Sequence, residues 1–348
     1  MKFIHIADTH LGAAPESGTA YSGNRPKELW NGFERIIGLC EEEQTDLLLI
    51  AGDMFHRQPL LRELKEVNFL FSRLTHTKVV FIVGNHDYLK PDSYYHTYEW
   101  NENVFPILST DLACVGFAGL DVGVYGFSYD RREITEPRYD SIVAPGDYGI
   151  EILLAHGGDE KHIPLNKKCL AGNGFTYAAL GHIHKPQIVV ENQAVFAGAL
   201  EPLDKNDTGI HGFIKGEITS AGVRLSFEPS ASREYVHLEI DVDQTMTNGS
   251  LKNKIREEIE QAGRQNIYKI ILKGFRDPDI IFDMEDMDVY GNVIEIVNET
   301  KPAFDYKKLL EQNEENLLGK FIEKYINSPE KSIEYQALYE GVQALIES

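Results

Sequence analysis

Five short apolar runs dominate the first 200 residues of this sequence, and each ends in, or is closely followed by, Asp, Asn or His. Longer polar stretches separate the runs, and two of them, 26–44 and 60–75, carry apolar residues at helical spacing. Alternation of this kind is typical of βα units around a mostly parallel sheet. The predicted strands are Phe3–Ala7, Asp46–Gly52, Lys78–Val83, Glu151–His156 and Thr176–His182.

The pattern changes from about residue 103 onward. Here the apolar runs are short, close together and punctuated by glycine, which is typical of sheet with hairpins. Two packed sheets flanked by helices would accommodate both patterns. The sequence therefore predicts an α/β fold rather than an all-helical or all-strand fold.

A Pro-Ser-Ala-Ser stretch at 229–232 predicts a domain boundary. Beyond it, three strands and a charged amphipathic helix (251–262) indicate a small α/β module. After Pro302 we expect helices at 304–313, 315–325 and 333–347. The predicted organisation is a main domain at 1–230, a capping domain at 231–300 and a helical tail at 301–348.

Composition limits the classes to which this chain can belong. Its 348 residues carry a net charge of −21, which argues against coating nucleic acid through bulk electrostatics. No run approaches the roughly 18 apolar residues of a membrane span, and the start does not fit a signal peptide. The cysteines, Cys40, Cys114 and Cys169, form no CxxC pair. We therefore expect no disulfide framework, no thiolate zinc site and a cytoplasmic location.

Residues that carry chemistry stand at the ends of the predicted strands. Taken singly, each cluster has an ordinary structural interpretation, such as a turn, a cap or a buried histidine. Because ligands of an open α/β sheet gather at the carboxyl ends of strands, we expect all the clusters to share one crevice. The members are Asp8, His10, Asp53, His56, Asn85, His86, Asp87, His156, His182 and His184.

These residue types predict a metal centre. Nitrogen and oxygen ligands without thiolates favour Mn²⁺, with Fe²⁺ and Zn²⁺ as alternatives. A central carboxylate can bridge two ions about 3.5–4 Å apart, and two such ions can clamp a phosphodiester. A further imidazole that binds no metal could then protonate the leaving oxygen. The pattern predicts two divalent metal ions and phosphoester hydrolysis.

In this order, the motifs resemble those of the calcineurin-like metallophosphoesterases. They are IHIADTHLG, AGDMFH, GNHD, and GHIH followed about ten residues later by FAGALEP. Within this superfamily, the chain is similar to the SbcD-type nuclease subunits of DNA double-strand-break repair. The resemblance covers the motifs of 1–218, and 231–348 resembles the capping domain only in pattern. It implies a four-layer α/β/β/α sandwich with a small C-terminal α/β capping domain and tail helices.

The resemblance also implies a role for each metal-ligating residue. One ion would be held by Asp8, His10 and His184. The second would be held by Asn85, His156 and His182. Asp53 would bridge the two ions.

Three further roles follow from the resemblance. His86 would contact the scissile phosphate and assist the leaving group without binding metal. Asp87 would orient the imidazole of His86. His56 matches a histidine associated in the family with exonuclease action, and the alternative is an ordinary loop histidine.

One segment departs from the family pattern. After GHIH the family usually carries a motif close to YPGS, whereas this chain has FAGALEPLDKNDTGIHGF. Glu201, Asp204 and Asp207 lie near the region where the family receives substrate. We interpret these three carboxylates as a solvated loop, and the binding of duplex DNA stays open.

For partners, the resemblance implies DNA ends, an SbcC-type coiled-coil ABC ATPase and a homodimer. The family tethers the ATPase through the region after Pro302, where 306–318 and 333–346 have the periodicity of helices that dock in a groove. The alternative is that these helices close the protein's own second domain.

Three functions stay open on the sequence alone. The favoured one is a Mn²⁺-dependent DNA exonuclease and endonuclease, the nuclease subunit of an SbcCD-like DNA repair complex. The second is a calcineurin-like phosphatase or cyclic-nucleotide phosphodiesterase, for which an acidic chain is no handicap. The third is a weakly active scaffold subunit, against which the filled ligand positions argue.

Overall fold

The computed structural model describes residues 1–347, so Ser348 at the end of the predicted tail lies outside it. The chain divides into two units. The first comprises Met1–Val236 with Arg264–Tyr268, and the second comprises His237–Gly263 together with the chain from Lys269 onward. No helix among the described residues is both long and apolar enough to cross a membrane.

Two six-stranded sheets form the framework of the first unit. The strands of the first sheet are β1 (Lys2–Ile6), β2 (Leu47–Ala51), β3 (Lys78–Ile82), β4 (Val104–Ile107), β11 (Gly212–Thr219) and β12 (Gly222–Pro229). Their order in the sheet is β12-β11-β1-β2-β3-β4. The strands β1 to β4 run parallel, and β11 and β12 add an antiparallel edge. The second sheet has the order β5-β6-β7-β8-β10-β9, where the strands are β5 (Ala113–Phe117), β6 (Val122–Gly126), β7 (Ile150–His156), β8 (Tyr177–Gly181), β9 (Gln187–Val190) and β10 (Ala194–Phe196).

Side-chain alternation along the strands divides the core into layers. In β2, Leu48 and Ile50 pack towards α1 (Arg25–Glu42) and α2 (Leu61–Phe71), while Leu47 and Leu49 pack between the two sheets. In β7, Leu153 faces the outer side of the second sheet, where α3 (Lys167–Gly172) contributes Leu170. The sequence of layers is helices, sheet, sheet and helix, which confirms the predicted four-layer α/β/β/α sandwich.

The second unit is a small α/β module followed by helices. Its sheet has the order β13-β14-β15, and β16 pairs with β14. The tail helices pack on one another around Ile322, Leu338 and Val342. The elements are β13 (Tyr235–Val242), α4 (Asn248–Ala262), β14 (Ile267–Arg276), β15 (Val293–Asn298), β16 (Lys301–Pro302), α5 (Tyr306–Gln312), α6 (Leu317–Tyr325) and α7 (Ile333–Glu347).

Candidate metal centre

Loops at the carboxyl ends of β1, β2, β3, β7 and β8 bring the predicted site residues together. Hydrogen bonds join these loops directly. The backbone N–H of His10 donates to the carbonyl of Asp53 at 3.0 Å. The backbone N–H of His182 donates to the carboxylate of Asp8 at 2.9 and 3.1 Å. The two sheets thus contribute to one site, because Asp8 comes from the first sheet and His182 from the second.

Four site residues adopt a left-handed backbone conformation. The φ angle is +51° at Asp8, +44° at His10, +48° at Asp53 and +95° at His182. Such conformations cost about 1–3 kcal/mol for residues other than glycine and persist where surrounding contacts over-determine them. Their concentration in the loops after β1, β2 and β8 marks this edge of the sheets as a functional region.

Two glycines allow the loops to approach each other closely. A Cβ atom on Gly84 would lie 2.2 Å from Oδ1 of Asp53. A Cβ atom on Gly52 would lie 2.4 Å from Nδ1 of His156. Both distances are far shorter than a non-bonded contact permits. The glycines of the GNHD and AGD motifs are therefore required by the site itself.

The first donor set lies between β1 and the loop after β8. Nε2 of His10 lies 3.2 Å from Nε2 of His184. Asp8, His10 and His184 each offer one ligand atom, and these atoms lie within 4.8 Å of one another. Two imidazole nitrogens and one carboxylate oxygen can therefore converge on one cation.

The second donor set centres on the side-chain oxygen of Asn85. This Oδ1 atom lies 2.9 Å from Nε2 of His156 and 3.2 Å from Nδ1 of His182. His156 is fully buried, and its Nδ1 lies 2.8 Å from the carbonyl oxygen of Ala51. Since Nδ1 donates to this carbonyl, Nε2 is the nitrogen of His156 that faces the second set.

The carboxylate of Asp53 lies between the two sets. Its Oδ2 atom is 3.8 Å from Nε2 of His10 and 3.5 Å from Nε2 of His156. Its Oδ1 atom accepts a hydrogen bond of 2.9 Å from the backbone N–H of His86. One carboxylate oxygen therefore faces both donor sets while the other is held by the loop after β3.

The donor set fits divalent cations. Nitrogen lone pairs, carboxylates and an amide oxygen crowd together at about 3 Å, and this arrangement is stable when positive charge lies among them. The ligands include no thiolate, because the cysteines are elsewhere. The residues that could hold two ions are Asp8, His10, Asp53, Asn85, His156, His182 and His184.

The two carboxylates of the site have pKa values shifted in opposite directions. Burial raises the pKa of Asp8 to about 6. Burial acts in the same direction on Asp53, but the charge and hydrogen bond of His156 outweigh it, so the pKa of Asp53 is held well below its usual range. Negative charge is thus concentrated on Asp53, the carboxylate between the donor sets.

The imidazoles divide in the same way. Burial lowers the pKa of His10 well below its usual value, and burial together with the charge of His156 lowers the pKa of His182 to about 4. Burial acts against protonation of His156 and His184 as well. Asp53 beside His156 and Asp207 beside His184 nevertheless raise the pKa of each ring to about 9.

His86 and His56 lie beside the first donor set. The rings of His86 and His10 are 4.8 Å apart, and those of His56 and His86 are stacked at 5.1 Å. Nδ1 of His86 lies 3.2 Å from the carbonyl oxygen of His56, and Nδ1 of His56 lies 3.4 Å from Nδ1 of His10. Burial and the charge of His86 lower the pKa of His56. Both histidines therefore adjoin the centre.

Asp87 occupies a different position from the one expected. Its carboxylate is buried and accepts hydrogen bonds from the backbone N–H groups of Gly84 and Phe55 and from the hydroxyl of Tyr95. The ring of His86 instead makes its hydrogen bond to the carbonyl of His56. The expectation that Asp87 orients His86 is wrong, because the turn directs the Asp87 side chain into the protein.

Two further carboxylates adjoin the site and were not singled out as site residues from the sequence. Oδ2 of Asp159 lies 2.7 Å from Nε2 of His182, and Oδ2 of Asp207 lies 3.0 Å from Nδ1 of His184. Against burial, these contacts lower the pKa of both carboxylates. Only proximity to GHIH pointed to Asp207, and no sequence signal pointed to Asp159.

The solvated-loop interpretation of 201–207 needs correction. Glu201 is 1% exposed and accepts hydrogen bonds from the backbone and side chain of Ser232. Asp207 is partly buried against His184. Asp204 alone of the three carboxylates is exposed, as expected. Glu201 also forms an ion pair with Arg35, which holds this segment against α1.

The amino-acid sequence is similar to those of known metallophosphoesterases. Residues 1–186 match the family model of the calcineurin-like phosphoesterases. The chain is 28% identical over 298 residues to "Uncharacterized metallophosphoesterase YhaO" of Bacillus subtilis (strain 168), a match covering 79% of this chain and 72% of that protein.

Two archaeal relatives carry the name "DNA double-strand break repair protein Mre11". The protein of Archaeoglobus fulgidus is 26% identical over 309 residues, covering 78% of this chain and 68% of its own. The protein of Methanocaldococcus jannaschii is 26% identical over 218 residues, covering 60% of this chain and 58% of its own, which is less than two thirds of that relative.

The family match and the geometry agree. The match over 1–186 includes more than half of the 348 residues, and it contains the strand-end motifs of β1, β2, β3, β7 and β8. The side chains at those strand ends form the two donor sets described above. The chain therefore belongs to the calcineurin-like phosphoesterase family and is a metal-dependent phosphoester hydrolase.

Proposed function

We propose that this protein is a Mn²⁺-dependent nuclease that hydrolyses DNA phosphodiesters at DNA ends, as the nuclease subunit of an SbcCD-like repair complex. The observation that carries the proposal is the position of Asp53 between two donor sets, with the imidazole of His86 beside them. This arrangement supports two-ion hydrolysis of a phosphodiester. The similarity to proteins named for DNA double-strand break repair supports DNA as the substrate.

The proposed ligands follow the two donor sets. One ion would be held by Asp8, His10 and His184, and the other by Asn85, His156 and His182, with Asp53 available to both. When bound, the two divalent ions would supply positive charge to the phosphoester and lower the pKa of a water molecule. The mixture of imidazole, carboxylate and amide ligands favours Mn²⁺, with Fe²⁺ and Zn²⁺ as alternatives.

His86 is the proposed general acid. Its Nδ1 lies 3.2 Å from the carbonyl oxygen of His56, so Nδ1–H donates to this acceptor. With Nδ1 held by this acceptor, Nε2 is the ring nitrogen left to deliver a proton to the leaving sugar oxygen. His56 thus supports His86 through its backbone, while its own exposed ring stacks on that of His86.

The second unit offers a surface for the proposed ATPase. Leu317 is 70% exposed and Ile333 is 82% exposed, although both lie on tail helices. A cavity of about 630 Å³ in the same unit is lined by aromatic residues that include Phe304, Tyr306 and Tyr335. We propose that a helical segment of a coiled-coil ATPase docks here. Such a partner would hold the DNA and thereby compensate for the net charge of −21.

A homodimer is also part of the proposal. Apolar side chains on and after α2 are exposed, with Phe69 at 62%, Tyr94 at 48% and Leu61 at 40%. Light scattering should give a dimer for the wild type and a monomer for Phe69→Glu.

The cysteines bear on the location of the protein. The free thiols of Cys40, Cys114 and Cys169 suit a reducing compartment such as the cytoplasm.

The acidic charge favours one alternative, hydrolysis of a small phosphodiester. A direct test compares an end-labelled DNA duplex with a small chromogenic phosphodiester, in Mn²⁺ and in chelator, for the wild type and His86→Ala. The proposal predicts metal-dependent shortening of the duplex that is lost in the variant. Cleavage of the small ester with intact duplex, both without and with an SbcC-type ATPase added, would contradict the nuclease function and support the phosphodiesterase.

A further inference from the structure

Each histidine of the GHIH motif has a carboxylate on the side opposite its donor set. Nδ1 of His184 lies 3.0 Å from Oδ2 of Asp207, and Nε2 of His182 lies 2.7 Å from Oδ2 of Asp159. Neither aspartate belongs to the proposed ligand sets. Both are 23 residues from their histidine along the chain, so the contacts are created by the fold.

These contacts determine which ring nitrogen is available to a cation. A neutral imidazole has one N–H donor and one lone pair, and a carboxylate can only accept. His184 is therefore protonated at Nδ1 and offers Nε2, which lies 3.2 Å from Nε2 of His10. His182 is protonated at Nε2 and offers Nδ1, which lies 3.2 Å from Oδ1 of Asn85. Two histidines only two residues apart thus present opposite nitrogens to the two donor sets.

The loop after β7 holds Asp159 in position. Its Oδ1 atom accepts hydrogen bonds from the backbone N–H groups of Lys161 and His162, at 2.8 and 2.9 Å. Nδ1 of His162 lies 2.9 Å from both carboxylate oxygens, and its ring lies 4.5 Å from that of His182. The carboxylate is therefore oriented by its own turn before any ligand binds.

The segment that departs from the family pattern holds Asp207. Oδ2 of Asp207 accepts a hydrogen bond of 2.9 Å from the backbone N–H of Leu203. The fully buried Arg25 donates to the carbonyl of Pro202, and the buried Glu201 accepts from Ser232. The loop is thus anchored to the first unit at the residues that precede Asp207.

From this geometry we infer that Asp159 and Asp207 are positioning residues, which select the metal-binding nitrogen of His182 and of His184. Each carboxylate serves one of the two proposed ions. The inference rests on the metal centre of the proposed function but not on the identity of its substrate. It assigns a role to the loop between β10 and β11, which carries Asp207.

Calorimetric titration of the full chain with Mn²⁺ tests the inference. Loss of a carboxylate that hydrogen-bonds a metal-ligating histidine typically lowers metal affinity about 10- to 100-fold. Asp207→Ala should lower the affinity for the ion proposed to bind Asp8 and His10 and leave the affinity for the other ion unchanged. Asp159→Ala should lower the affinity for that other ion alone. Glu160→Ala and Glu191→Ala are controls, because each removes an exposed carboxylate, and each should retain two sites of wild-type affinity.

Asparagine variants separate positioning from general damage. In Asp207 one oxygen, Oδ2, accepts from both Leu203 and His184, so the amide oxygen of Asp207→Asn can replace it and most affinity should remain. In Asp159 the backbone contacts use Oδ1 and His182 uses Oδ2. The amide nitrogen of Asp159→Asn would therefore face His182 and favour the wrong tautomer, so affinity for that ion should fall about tenfold or more.

A spectroscopic measurement gives a readout that a purely structural role would not move. Histidine-ring nitrogen spectra of the Zn²⁺-loaded wild type should show the remaining proton at Nδ1 of His184 and at Nε2 of His182. The opposite assignment at either ring would overturn the inference, as would Ala variants that bind both ions with affinities within twofold of the wild type. Neither readout involves DNA, so a chain that binds two ions but does not cleave DNA would contradict the nuclease proposal alone.

Discussion

The backbone N–H of His86 donates a hydrogen bond of 2.9 Å to Oδ1 of Asp53. Oδ2 of the same carboxylate faces both donor sets. The loop that carries the proposed general acid is therefore fixed to the proposed bridging ligand, while Nδ1 of the His86 ring lies 3.2 Å from the carbonyl oxygen of His56. Proton transfer and metal binding should thus be separable by mutation.

His86→Ala should lower turnover about 10²- to 10⁴-fold, which is the usual contribution of a positioned general acid. The backbone N–H that holds Asp53 is retained in this variant, so both ions should still bind. Steady-state kinetics on a small phosphodiester, together with metal analysis of the same sample, makes the comparison. Loss of an ion from His86→Ala would show that His86 is a ligand instead.

Asp53→Ala should weaken the binding of both ions together, because its Oδ2 atom lies 3.8 Å from Nε2 of His10 and 3.5 Å from Nε2 of His156. Calorimetric titration with Mn²⁺ measures this effect directly. Asp92→Ala, which removes an exposed carboxylate, is the matched control and should bind as the wild type does. If Asp53→Ala lost one ion and kept the other at wild-type affinity, the bridging role would be wrong.

Gly84→Ala should disrupt the centre without removing any ligand. The new Cβ atom would lie 2.2 Å from Oδ1 of Asp53, so the carboxylate or the loop must move. We expect at least a tenfold loss of metal affinity, which is the effect of removing a group that hydrogen-bonds a metal ligand. Gly38→Ala serves as the control, because it lies in α1 with nothing within 4 Å of the added atom. Equal Mn²⁺ binding by both variants would contradict the close approach.

Metal binding should release protons. Against the effect of burial, Asp53 and Asp207 raise the pKa of His156 and His184 from 6.5 to about 9, so near pH 7 both rings carry a proton that an ion must displace. Affinity for Mn²⁺ should therefore rise with pH up to about 9 and then level off. Calorimetry in buffers of different ionisation enthalpy measures the protons released. Binding that is independent of pH across this range would contradict the electrostatics of the site.

Tyr95→Phe tests the corrected position of Asp87. The hydroxyl of Tyr95 donates to Oδ2 of Asp87 at 2.8 Å, and both side chains are buried. Loss of this donor should lower the free energy of unfolding by about 1–3 kcal/mol. Denaturant unfolding measures the change, with Tyr94→Phe as the exposed control. Unchanged stability in Tyr95→Phe would argue against Asp87 as the anchor of this loop.

The strands and their polar ends could be predicted from the sequence because both signals are local. Within the predicted strand at 46–52, all five residues of β2 are apolar, and alternate residues of β2 face different layers of the sandwich. Parallel strands bring their carboxyl ends to one edge of a sheet, so Asp8, Asp53 and Asn85 could be grouped without knowledge of side-chain positions.

Contacts formed by the fold could not be predicted in the same way. Asp159 and Asp207 stand among turn residues that look like any solvated loop, and only the packing of distant segments brings them to His182 and His184. Glu201 was interpreted as solvated for the same reason, although Ser232 and Arg35 bury it. The GNHD motif predicted the presence of Asp87 but not the inward direction of its side chain.

The most direct test of a two-ion centre adds Mn²⁺ stepwise to the metal-free chain while counting bound ions and measuring hydrolysis of a small phosphodiester. Hydrolysis should appear as the second ion binds, because Asp53 lies between the two donor sets. Full activity with one ion per chain, or activity that persists in chelator, would contradict the two-ion centre.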